Sequence, residues 1–473
     1  MPRSTVQASP QLEIQLEDDR FAWTGGDAII GRVSRCAPVV SHQATISVTL
    51  LGRAKSKMTV SRGQAGTSIY RGRFNFFPPE QSKVELLNGP IHIPETGDIH
   101  CWPFSLKVPS QLDPATVSDR NQQKFSFLPL GDNEIRAQTM PPSFYTRGVW
   151  FNTTYEAYIE YFLQAELTTQ SGGSIKTEIA TLPINVLARS TPRQALEPYP
   201  MRFASLCHLN SYRLLPGAEN ASLSLQQRTQ HLFRSSKVPQ YSFTLQVDCP
   251  RLLQIGNPAP VPFKILAIRE PSHTTDVLQD RNLELAITSI QLEVRSTTEI
   301  LCRGTITSHN VKGTRKVCLL GDTAIADHGV PILVPSSDKS EAIDVGKALG
   351  LTLEHVGPDL RVETSSKLTH ALFPTFNTYN IQHHHKLIWK LGIGSAGETT
   401  KISSEVDLTL LSLLPTSDAP PYTPFASLEE RVQEDVPLHD PSQLEEAVPT
   451  YAEAVPFSSK SNDFVSKKAQ LKE

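Results

Sequence analysis

Hydrophobic and polar residues alternate with a period of two along much of the first half of the chain. Leu12, Ile14 and Leu16 share one face of an extended segment, the mark of a strand with one buried side. Phe21 and Trp23 follow, Gly25, Gly26 and Asp27 form a turn, and residues 28–33 read as the next strand. Ile46, Val48 and Leu50 alternate again and lead into residues 51–58; residues 70–77 and 102–109 read as strands too. The clearest strand lies around Tyr155. There Ile159, Tyr161, Leu163, Ala165 and Leu167 fall on one face, while Glu160, Gln164 and Glu166 point away among Tyr158 and Phe162. Residues 178–186 make a last strand. Short alternating strands with turn residues between them, and few helical runs, predict an antiparallel sandwich.

The same design then repeats. Residues 189–235 are polar and irregular, with one short helical piece at 223–233. Beyond them Phe243, Leu245 and Val247 alternate, Pro258, Pro260 and Pro262 make a corner, and residues 263–268 follow. Leu283, Leu285 and Ile287 mark one strand and Ile290, Leu292 and Val294 another; residues 322–348 have no firm period and read as loop. Leu387, Trp389, Leu391 and Ile393 alternate, and residues 406–413 close the unit. The expected fold is all-β: two immunoglobulin-like β-sandwiches in series and a disordered tail. The boundaries are a flexible N-terminus at 1–9, a first sandwich at 10–188, a linker or insertion at 189–238, a second sandwich at 239–414 and the tail at 415–473.

Composition narrows the function more than the fold. A chain of 473 residues has room for two or three domains. A net charge of −3 carries no global signature of nucleic-acid or membrane binding. The N-terminal residues hold no apolar run of signal-peptide length, and the aliphatic cluster at 408–414 is far shorter than a membrane span. Six cysteines (Cys36, Cys101, Cys207, Cys249, Cys302 and Cys318) are scattered singly, which points to reduced thiols in a cytoplasmic protein. In that compartment Asn152-Thr-Thr and Asn220-Ala-Ser are chance matches to the glycosylation pattern.

The tail carries the candidate chemistry. Residues 415–457 are rich in proline and acidic residues, with Arg431 as their one basic residue. Such a segment cannot bury enough apolar surface to offset the entropy of ordering, so an extended chain is expected. Two tyrosines each follow a proline two residues before them: Pro420-Pro421-Tyr422, and Pro449 and Tyr451 after Val448. Extended proline segments with a tyrosine are what the aromatic grooves of WW modules bind. The full spacing is Pro-Pro-x-Tyr, and Ala419 and Val448 stand where the first proline would be. The plain alternative is a solvated tail. Thr423-Pro424 beside the first motif has the form of a proline-directed phosphorylation site, whose added charge would tune docking.

Three further constellations invite chemistry. Arg53, Lys55 and Lys57 alternate, so they share a strand face, with Arg62, Arg71 and Arg73 nearby in sequence. A basic face of this kind suits acidic cargo segments or anionic lipid headgroups, while a solvated sheet face that deters edge aggregation is the other reading. In His383-His384-His385 only the outer two converge on one face, and no third metal ligand is evident. Gly392, Gly394 and Gly397 match G-x-G-x-x-G, but β-branched and polar residues follow instead of a helix, so this is a hairpin turn. No metal, cofactor or catalytic set is expected.

Several segments together carry a resemblance. The pairing of Gly26-Asp27-Ala28-Ile29-Ile30-Gly31 with Leu50-Leu51-Gly52-Arg53-Ala54 resembles the N-terminal domain of arrestins. Trp102-Pro103-Phe104-Ser105-Leu106-Lys107-Val108-Pro109 resembles that family's Pro-Phe-x-Phe-x-hydrophobic-Pro signature, with Leu106 in place of the second Phe. Pro142-Ser143-Phe144 followed by Tyr158-Ile159-Glu160-Tyr161 resembles the next signature. The stretch from Phe373-Pro374-Thr375-Phe376 through Asn377-Thr378-Tyr379-Asn380-Ile381 resembles the late C-domain segment. Their order along residues 10–414, followed by the tyrosine motifs, resembles the α-arrestins, and the long connection at 189–239 resembles fungal members.

That resemblance implies a non-catalytic adaptor. Its two domains would engage a membrane transporter or receptor as cargo. Its tail would recruit a WW-domain HECT-type ubiquitin ligase through Pro420, Pro421, Tyr422, Val448, Pro449 and Tyr451. Ubiquitin transfer and endocytosis would follow, with the protein moving from the cytoplasm to the plasma membrane or endosomes and no nucleic acid involved. A vesicle-coat or retromer-like sorting scaffold, which would leave the tail expendable, is the alternative; an enzyme has no motif behind it.

Overall fold

Nine strands make up the first half of the computed structural model, which describes residues 6–412 apart from 9–10, 18–19, 21, 96, 172, 189–199, 234–236, 322, 337–339 and 354–371. They are β1 (Glu13–Leu16), β2 (Ala28–Arg35), β3 (Val39–Ser61), β4 (Thr67–Asn75), β5 (Lys83–Ile93), β6 (His100–Lys107), β7 (Phe144–Trp150), β8 (Thr153–Ser171) and β9 (Ser174–Ile184). The second half begins with β10 (Pro200–Asn210), β11 (Gln240–Pro250), β12 (Leu252–Gln254), β13 (Lys264–Arg269) and β14 (Leu285–Arg303). It continues with β15 (Ser308–Leu320), β16 (Leu333–Val334), β17 (Ile343–Asp344), β18 (Phe376–Asn377), β19 (Ile381–Ser395) and β20 (Glu398–Leu411). The protein is all-β, built as two sandwiches.

In the first sandwich the sheet β1-β2-β6 faces a larger sheet in which β8 and β3 are central. The alternation read from sequence puts Ile46, Val48, Leu50, Ile159, Tyr161, Leu163 and Leu167 into one buried core with Ile29, Val33, Phe104 and Leu106 of the opposite sheet. The unusual length of β3 follows from its partners. It pairs with β8 from Gln43 to Val60, with β5 through its first half and with β4 through its second. At the changeover stands Gly52, where an added Cβ would lie 2.7 Å from the Tyr161 ring and 2.8 Å from the Phe77 ring. Only glycine fits that approach.

In the second sandwich the sheet β10-β11-β13-β17 faces the sheet of β12, β20, β19 and β14. Trp389 lies at the centre of its core, edge-on to Phe203 and Phe263. The two sandwiches are not separate layers. Their larger sheets run into one another through a single pairing of Arg71 in β4 with Arg303 in β14. Ile300, Cys302, Phe373, Phe376, Tyr379 and Ile381, all late in the chain, belong to the first core.

Two departures from the sequence reading have physical reasons. Residues 200–210, read as linker, form β10 and pair with β11 along its full length. This strand has only Cys207 and Leu209 buried, and Met201 and Leu206 are exposed. An edge strand with so little buried surface leaves a weak period-two signal. Residues 322–348, read as loop, contain two short helices, Ala324–His328 and Val345–Ala348, and the strands β16 and β17, all too short to show a period. The helix at Leu225–Leu232 falls inside the piece expected at 223–233.

The glycine motif is a hairpin, as expected. Ser395 pairs with Glu398 across a two-residue turn in which Ala396 and Gly397 have φ of +50° and +79°, the left-handed pair that suits the strand twist. Two positions earlier, a Cβ on Gly394 would stand 2.3 Å from the Glu398 carbonyl oxygen. Gly394→Ala should therefore cost about 1–3 kcal/mol in urea denaturation; an unchanged midpoint would mean that the hairpin end opens freely.

Candidate functional site

The middle of β3 presents Arg53, Lys55 and Lys57 on the face away from the core. Antiparallel register builds rows across this face. Arg53 lies between Asn75 of β4 and Glu160 of β8, Lys55 between Arg73 and Tyr158, and Lys57 between Arg71 and Glu156. β7 extends the rows, with Tyr145 beside Tyr158 and Arg147 beside Glu156. Six cations thus share the face with the two carboxylates Glu156 and Glu160.

The structure places these cations differently from a simple solvated stripe. Arg53 Nε donates to Glu160 Oε1 at 2.5 Å, and Lys55 Nζ stands 3.6 Å from the same oxygen. The Arg53 guanidinium lies 4.7 Å from the Phe162 ring centre and the Lys55 ammonium 5.7 Å from that of Tyr158, within cation–π reach. Tyr158, Glu160 and Phe162, read as outward, are accordingly buried, and so is Lys55. Burial and then the Arg53 charge bring the Lys55 ammonium down to about 8, against the pull of Glu160. Lys57 is half-buried, and Arg71, Arg73 and Arg147 are exposed. The accessible positive charge therefore sits in the same rows but on the flanking strands β4 and β7 rather than on β3. Glu160 was the missing element; its place opposite Arg53 depends on register, which no local pattern encodes.

Behind this face lies the seam between the sandwiches. Phe144, the first residue of β7, packs edge-on against Phe373 and Phe376 with centroids 5.1 and 4.8 Å away. Asn380 donates from Nδ2 to the Ser56 hydroxyl at 3.0 Å, and Ser56 donates to the Leu301 carbonyl at 2.7 Å. His383 and His385 line up on one face as expected, with ring centroids 4.6 Å apart. Their Nδ1 atoms meet the Thr298 and Ser296 hydroxyls at 2.8 and 2.9 Å. His383 borders a cavity of about 40 Å³ with Phe144, Tyr155, Ser296 and Arg315. Burial, with the neighbouring histidines, holds His383 well below the usual imidazole range, and burial brings His385 down to about 4. These are neutral packing histidines. Among the described residues no group of three or more His, Cys, Asp or Glu could hold a metal ion.

Cys207, Cys249 and Cys302 are buried, and burial pushes the Cys249 and Cys302 thiols up to about 12 and 11. Buried in this way they behave as small apolar residues. The tail positions Pro420, Pro421, Tyr422, Val448, Pro449 and Tyr451 lie outside the described residues. Among the described residues, no helix is long and apolar enough to cross a membrane. No protein-family model matches the chain, and no curated protein matches it.

Proposed function

We propose that the chain is a non-catalytic trafficking adaptor of the α-arrestin kind. In this reading the sandwiches engage an acidic segment of a membrane cargo, and residues 420–422 and 448–451 recruit a WW-domain HECT-type ubiquitin ligase. The observation that carries the proposal is the order of parts: two β-sandwiches fused at a packed seam, then two tyrosine motifs after the last strand. Two segments named for the resemblance, the one ending at Phe144 and the one from Phe373 to Ile381, meet at that seam. The accessible arginines beside β3 supply the charge an acidic cargo segment would need.

The test is a titration of the full chain against a ligase fragment with several WW domains. Each incomplete motif alone should bind at about tens to hundreds of micromolar, with two-site avidity tightening the whole. Tyr422→Ala with Tyr451→Ala should weaken binding at least ~10-fold, each single change less. Equal binding by the double variant, or no binding by the wild type, would discard ligase recruitment. The sorting-scaffold reading would then be the one to pursue, through stable partner subunits.

A further inference from the structure

We infer that the turn joining β7 to β8 is a membrane-docking tip that inserts Trp150 and Phe151 into an anionic lipid surface. Large apolar side chains stand in solvent here: Trp150 is 56 % exposed, Val149 70 % and Phe151 86 %. The two aromatic rings brace one another edge-on, 5.0 Å between centroids. Asn152 donates from Nδ2 to the Ser61 carbonyl at 2.8 Å, and the Ser61 N–H donates back to the Asn152 carbonyl at 2.9 Å. The tip is therefore a fixed projection tied to the neighbouring turn.

The backbone points the same way. Phe151 is held at φ +49°, a conformation that favours glycine and strains a bulky residue. Glycine would make the better turn. The strain is borne by a residue whose ring contributes little packing to the fold, so the ring's value lies in what it meets outside.

Charge selects lipid as the partner. Val149, Thr154, Thr59 and Ile69 form an outward row just behind the tip, with Ile69 46 % exposed. One row further back come Arg147, Glu156, Lys57 and Arg71, and Arg62 stands at the adjoining turn. Two residues of strand separate these rows, roughly 7 Å. An apolar edge with cations that far behind it matches the depth between the acyl boundary and the headgroup phosphates. Each cation near such a surface is worth roughly a fivefold gain in binding. A protein pocket would need no such belt of charge at one height. The inference requires neither the tail motifs nor a ligase.

The full chain is mixed with phosphatidylcholine vesicles with and without phosphatidylserine, and binding is read by cosedimentation and tryptophan emission. Trp23 and Trp389 are buried and Trp102 half-buried, so Trp150 is the reporter at the surface. The wild type should bind the anionic vesicles, weaken with salt, and shift its emission to the blue; Trp150→Phe should bind without that shift. Phe151→Gly should bind at least ~10-fold more weakly while melting no lower than the wild type, which separates lost docking from lost folding. Absence of binding to anionic vesicles, unchanged binding in both Phe151→Gly and Trp150→Ser, or an unmoved emission would overturn the inference. A tip that docks a protein instead gives the first of these results.

Discussion

Phe144→Ala should lower the unfolding free energy by about 3–5 kcal/mol, the range for emptying a buried aromatic site. Phe144 touches residues that arrive from three places: Phe373 ahead of β18, Phe376 within it and His383 on β19, with ring centroids 5.1, 4.8 and 5.0 Å away. Edge-on aromatic pairs add about 0.5–1.5 kcal/mol each beyond their buried area. The hole would be hard to close, because β7 is fixed by its full register with β8 and Asn380 is fixed through Ser56. Urea denaturation with Phe144→Leu as the milder control gives the number. A loss under about 1 kcal/mol would mean that the seam relaxes and that the two sandwiches fold without leaning on each other.

The buried histidines make stability depend on acid. In the unfolded chain each ring titrates near 6.5, whereas burial holds His385 at about 4 and His383 well below its usual range. Between those values the unfolded state binds protons that the folded state refuses. Stability is then fully present above pH ~6.5 and falls as the pH drops toward the folded value. His385 alone contributes a loss of about 3 kcal/mol over that window, about 2 of it by pH ~5. Protonation would place charge beside the other ring and, at His383, near Arg315; the Ser296 and Thr298 hydroxyls and the Phe373 and Pro374 backbone at His385 answer it only in part. Glu178 adds to the acid sensitivity in the same sense, at lower pH. Burial would raise its carboxyl, but hydrogen bonds from Lys176 and Arg35 hold it lower, so its share is lost only at more acid pH. Denaturation midpoints at pH 7 and 5 should differ clearly in the wild type and less in His385→Gln. Equal midpoints in the wild type would show that the rings are already charged or hydrated in the fold.

Strand positions and buried faces were legible in the chain itself. Period-two alternation marked β3, β8 and β19 because each buries one face against a second sheet, and a buried face selects apolar residues at every other position. It drew two strands at 283–287 and 290–294 where the structure has the single strand β14, because a register shift between Ile287 and Ser289 breaks the period. The glycines at 392, 394 and 397 declared a hairpin because β-branched residues followed where a nucleotide site would need a helix. The tyrosine motifs, too, are purely sequence features. Tertiary structure alone decided the rest. Pairing register put Glu160 beside Arg53 and buried Lys55, leaving Arg71, Arg73 and Arg147 as the accessible charge. Chain return from more than 200 residues away brought Phe373 and Phe376 onto Phe144 and fused two sandwiches that the alternation drew as separate. The same sheet end set Trp150 and Phe151 in solvent, a placement the alternation does not mark. The physical reason is common to all three. Hydrophobic period encodes which face of a strand is buried, but register, seams and projecting tips are relations between strands distant in sequence, fixed only when the whole core closes.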